Sequence, residues 1–69
     1  MSILTTEEKT AVINQHKKNI EHSKYNLELS IIEENAVSSP SQSNIDDLNA
    51  KIADLDAKLD ALDAELASL

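Results

Sequence analysis

The sequence predicts an all-α protein: an antiparallel helical hairpin with coiled-coil packing between its arms, self-associating into a helical bundle. Three observations point there. First, Ile45, Leu48, Ile52, Leu55, Leu59, Leu62, Leu66 and Leu69 follow one another at spacings that alternate three and four residues, the a/d pattern of a coiled-coil seam. Second, the sole proline, Pro40, sits within the polar run Ser38 to Asn44, which is the natural place for a long helix to break. Third, glycine, phenylalanine and tryptophan are absent and Tyr25 is the one aromatic residue. Positive-φ turns, strand bulges and phosphate-cradling loops therefore lack their usual residues.

The elements follow in chain order. Thr5 and Glu8 have the spacing of a capping box, in which hydroxyl and carboxylate each satisfy a free N–H at a helix start. A first helix is expected over about residues 6–37, with Glu7 and Glu8 complementing the positive end of its dipole. Ser39-Pro40-Ser41-Gln42 reads as a second capping box, with Ser39 as N-cap, Pro40 at the first helical position and Gln42 at the third. The turn is then expected at about 38–40 and the second helix over about 40–69, its heptad seam covering 45–69. A connection this short favours antiparallel neighbours. At 1.5 Å per residue the arms would be roughly 45–50 Å and 40–45 Å long, similar enough to cover each other.

An uninterrupted apolar seam needs a matching partner along its length, because burying each Ile or Leu contributes about 1.5–3 kcal/mol. On the first arm, Ile13, Ile20 and Leu27 recur every seven residues with Ile31 beside them, and Lys17 and Lys24 lie at the edge of that stripe. Folding about Ser39-Pro40 sets Ile31 against Leu48, Leu27 against Ile52, Ile20 against Leu59 and Ile13 against Leu66, each pair of numbers summing to 79. The lysine stems would then lie over Leu55 and Leu62, with their ammonium groups reaching Asp56 and Asp63. Charge leaves a second arrangement open. Lys51 and Lys58 at g with Asp56 and Asp63 at e suit a parallel coiled coil of two identical second arms, and Ile at early a positions with Leu at d favours two strands. Ala50, Ala57 and Ala64 fall at f, where alanine favours the helix and also permits a second helix to come close.

A second apolar stripe on the first arm, Tyr25, Leu29, Ile32 and Ala36, lies on roughly the opposite face from Ile20, Leu27 and Ile31. One hairpin partner cannot bury both faces. These four residues are therefore the expected self-association interface, with Tyr25 as an anchor whose ring packs while its hydroxyl stays wet.

Composition and spacing argue against other classes. Thirteen acidic against six basic residues give net charge −7, which repels nucleic-acid phosphates and anionic head groups, so neither nucleic acid nor membrane is an expected partner. With no cysteine there is no disulfide or thiolate site. His16 and His22 are six apart and fall on different helix faces, and the positions where a Glu-x-x-His motif would carry its acid hold Ile13 and Asn19. Asp46, Asp47, Asp54 and Asp60 point apart on a helix and lack the loop glycine of a calcium site. The serines cluster in the turn, where capping explains them. No catalytic, cofactor-binding or metal-binding residue is expected, and the chain reads as non-enzymatic. Its start lacks the basic and apolar regions of a signal peptide, so the chain reads as a soluble, untargeted protein rather than a secreted one.

Ser23-Lys24-Tyr25-Asn26-Leu27-Glu28, then Ile31-Ile32-Glu33-Glu34-Asn35-Ala36, then Ser39-Pro40 and the Ala/Asp/Leu heptad tail, resemble small uncharacterised helical proteins of marine phage genomes, those of cyanophages in particular. The resemblance supplies no active site. It implies a virion-associated or phage-encoded accessory component, and the expected partner is a further copy of the same chain. Two alternatives stand beside this structural role: a regulatory binder offering an apolar helix face to a host or virion protein, and an acidic mimic of DNA.

Overall fold

A computed structural model of the protein describes residues 3–69. It contains helix α1, Thr6–Ala36, and helix α2, Gln42–Ser68. The two pack against each other as a hairpin with overall extents of 55 × 15 × 14 Å. Their antiparallel sense follows from the ion pairs between them, because Lys17 meets Asp63 while Lys24, farther along α1, meets the earlier Asp56.

Helix α1 starts at its capping box. The Thr5 hydroxyl accepts from the Glu8 N–H at 3.0 Å, and the Glu8 carboxylate accepts from the Thr5 N–H at 3.0 Å. Two of the N–H groups that no helical carbonyl can reach are thereby satisfied. Along the helix, Thr10 and Ser30 turn their hydroxyls back onto the carbonyls of Thr6 and Asn26, a harmless use of residues that otherwise compete with the backbone.

The connection is longer than the sequence pattern implies. Helix α1 stops at Ala36 with Val37 as its extended C-cap, and the N-cap of α2 is Ser41 rather than Ser39. Two hydrogen bonds account for the later start. The Ser41 hydroxyl accepts from the Asn44 N–H at 3.2 Å, while the Ser41 N–H donates to the Glu34 carboxylate at 2.8 Å. Glu34 thus reaches out of the last turn of α1 and fixes the residue that opens α2. Pro40, expected as the first helical residue, lies before the cap, where its missing N–H costs nothing.

The facing residues repeat with the alternating three-and-four spacing on both helices. From α2 come Ile45, Leu48, Ile52, Leu55, Leu59, Leu62 and Leu66; Leu59 is buried and the others half-buried. From α1 come Thr10, Ile13, Lys17, Ile20, Lys24, Leu27, Ile31 and Glu34, all half-buried. The lysines are members of the α1 row rather than its neighbours. Leu69, placed in the seam by its spacing, is 39% exposed; its N–H donates to the Leu66 carbonyl, and the register of the other pairs sets the polar Thr10 opposite it.

Among the described residues Leu59 alone is buried, at 8% exposure. Truncating it leaves a gap at the best-sealed point of the hairpin, so Leu59→Ala should cost about 2–3 kcal/mol in thermal or denaturant unfolding. The cap position is tested separately. Ser41→Ala should cost about 1 kcal/mol, and Ser39→Ala only a few tenths, in the same measurement.

Candidate interaction surface

The surface is organised by which flank of the hairpin each side chain occupies. On one flank the Lys17 ammonium lies 2.6 Å from the Asp63 carboxylate, and the Lys24 ammonium 2.8 Å from that of Asp56. The lysine stems cross the seam to reach them, so each covers apolar surface while its head stays partly in water. These pairs stitch that flank at two points about two turns apart. Their carboxylates are half exposed, which keeps the energetic contribution of each pair small and leaves their main effect on register.

The opposite flank is open. Ser23, Leu27, Asp54, Leu55 and Lys58 line one shallow groove between the helices there, and Ser30, Glu34, Leu48 and Lys51 contribute to a second nearer the turn. Small serines on α1 fail to cover the leucines behind them. Lys51 and Lys58 stand on this flank and, among the described residues, make no ion pair. Asp56 and Asp63, which a parallel pairing of second arms would have matched to those lysines, are engaged by Lys24 and Lys17 within the chain.

The third surface is the outer face of α1. Tyr25 is 60% exposed, Ile32 63% and Leu29 38%, and Ala36 is exposed beside them. All four lie away from α2, as the sequence pattern requires. Val37 and Val12, not anticipated from spacing, are about half exposed as well. Val37 extends the apolar strip toward the turn, because it leaves the helix one residue after Ala36.

Groups suited to chemistry do not converge. Among the described residues no cluster of three or more His, Cys, Asp or Glu side chains is placed to hold a metal ion. His16 and His22 are both exposed. No described helix is long and apolar enough to cross a membrane. No family model, curated protein or solved structure matches the chain.

The Lys24 ammonium is held above its ordinary value of 10.5, first by its hydrogen bond to Asp56, next by the charge of the same carboxylate, against a smaller opposing effect of desolvation. Glu21 and Glu28, one turn to either side, add to the rise. A folded pKa above the unfolded one means the contribution is fully present below the unfolded value and disappears as pH rises through the folded value. Melting temperatures of the wild type should therefore fall more steeply than those of Lys24→Met between about pH 9 and pH 12. Parallel curves for the two proteins would show that the Asp56 contact adds nothing in solution.

Proposed function

We propose that this protein is a non-enzymatic structural and oligomerisation component. Its arms pack as an intrachain coiled coil, and copies associate through Tyr25, Leu29, Ile32 and Ala36 on the outer face of α1. The observation that carries this reading is the contrast between the two faces of α1. The inner face is spent on α2, while the outer face keeps three large apolar side chains in water along a single stripe. Such a stripe costs solubility unless something covers it.

The thin core supports the same reading. A chain of 69 residues with one buried side chain among those described lacks the sealed interior that stabilises larger domains, and association is the staple available to a chain without cysteine. The resemblance to phage-encoded helical proteins is what supports a role in a virion or as a phage accessory factor within the host cell. Residues beside the stripe suit protein recognition better than nucleic-acid recognition, since Lys18 is the one lysine on that face.

Leu29→Asp or Ile32→Asp should convert the assembly to a monomer of 7.6 kDa in solution scattering while the far-ultraviolet circular dichroism stays helical. An assembly mass unaltered by both substitutions would place the interface elsewhere. A wild-type protein that is monomeric at every concentration would overturn self-association and favour a regulatory binder of another protein.

A further inference from the structure

The open flank of the hairpin carries a row of alternating charge. On α2, Asp47, Lys51, Asp54 and Lys58 follow one another at spacings of four, three and four residues, and all are exposed. That period holds them on one helix face. On α1 the row beside them, Ser23, Asn26 and Ser30, bears no charge. Leu27, Leu48 and Leu55 line the grooves between the two rows and are left half-buried. Among the described residues, neither Lys51 nor Lys58 finds an ion pair within the chain.

We infer that this flank is covered by the same flank of a second copy of the chain, related by a two-fold axis, with α2 lying antiparallel over the α2 of the other copy. The inference rests on the self-association proposed above and adds a second contact to it. Alternation makes the row complementary to itself. Setting Lys51 opposite Asp54 of the other copy also sets Lys58 opposite Asp47, each pair of numbers summing to 105, and the axis repeats both pairs. No carboxylate of α2 meets another in that register: Asp46 falls level with Leu59, Asp56 with Asn49, Asp60 with Ile45, Asp63 with Gln42 and Glu65 with Pro40. The pairing between the arms carries the same axis to α1, between Asn26 and Leu27. Ser23 then faces Ser30, and Glu33 comes level with Ile20, beside Asn19. Leu48 of one copy lies within one turn of Leu55 of the other, so the grooves close over each other's leucines.

Other arrangements of the same flanks lose the match. Moving the register so that Lys58 meets Asp54 sets Asp47 against Glu65. Moving it the other way, so that Lys51 meets Asp47, leaves Lys58 level with Pro40, before the partner helix begins. Running the two α2 helices parallel about a two-fold axis puts each residue beside its own kind. Laying α2 over α1 of the other copy brings Asp47 to Glu33 and leaves Lys51 and Lys58 facing Ser30 and Ser23. The ion pairs are exposed and the grooves shallow, so one flank contact is weak by itself. It holds where copies already joined through the α1 stripe bring two such contacts together.

Charge reversal tests it. Lys51→Glu with Lys58→Glu makes the row wholly acidic, and Asp47→Lys with Asp54→Lys makes it wholly basic. Neither double variant can pair this flank with its own kind, so each should show half the wild-type mass in light scattering. Mixed in equal amounts the two regain all four opposite-charge pairs, and the mixture should return to the wild-type mass. Circular dichroism checks that both stay helical. Lys51→Gln with Lys58→Gln, which adds no like charges one turn apart within α2, should halve the mass as well and serves if a reversal costs helix. A wild-type mass in the helical variants, or a mixture that stays at half of it, would overturn the flank contact and leave association through Tyr25, Leu29 and Ile32 standing. Leu29→Asp tests that stripe separately, and a monomeric wild type would overturn both.

Discussion

Two helices side by side can each hide one stripe and no more, and the rest of this molecule follows from that restriction. In a larger domain every seam residue would be closed over from several directions. Here α1 and α2 close over Leu59 and leave the remaining facing side chains half in water. The apolar area removed from water is correspondingly modest, so features worth little in a large protein carry weight. The Thr5/Glu8 box, the Glu34 to Ser41 hydrogen bond and the two ion pairs each act on a structure with small reserves.

The two seams are unequal, and that inequality bears on specificity. The α2 row is wholly apolar, whereas the α1 row alternates Ile or Leu with Thr10, Lys17, Lys24 and Glu34 at most intervening places. Two α1 helices meeting through their inner faces would set lysine near lysine, while α2 supplies Asp56 and Asp63 at the positions the lysines reach. Two α2 helices would pair well by hydrophobicity alone. Against that stands the tether: a connection of a few residues holds α1 at an effective concentration in the millimolar range or above. The intrachain partner therefore has the advantage before any second chain arrives.

Periodicity made much of this legible. The hairpin, the break near Pro40 and the facing rows all follow from residues whose meaning is local or repeats at helical spacing. Lys17 and Lys24 find Asp63 and Asp56 because a register fixed by eight apolar positions also fixes what lies beside them. The start of α2 was harder to read because Ser39 and Ser41 both satisfy the local rules for an N-cap. The choice between them is made by Glu34, seven residues before Ser41 and in another helix, and no local pattern links the two. The exposure of Leu69 has a similar origin, since its spacing is faultless but the register sets the polar Thr10 of α1, not an Ile or Leu, opposite it. Spacing describes what one helix presents; only the fold says whether anything is there to receive it.

The same distinction governs how a chain of net charge −7 can meet copies of itself. Net charge would oppose assembly if neighbouring copies sensed one another as points. At physiological ionic strength, however, exposed charges are screened over about 8 Å, less than the 14–15 Å breadth of the hairpin. A neighbour therefore responds chiefly to the face presented to it. The acids are unevenly shared: α1 carries six carboxylates and four lysines, α2 seven carboxylates and two lysines. Within α1, Glu21 and Glu28 fall on the stitched flank and Glu33 on the open one, so the stripe of Tyr25, Leu29 and Ile32 holds no carboxylate itself but is bordered by them on both sides. The stripe that exposes Tyr25, Leu29 and Ile32 thus offers apolar side chains with carboxylates only along its borders.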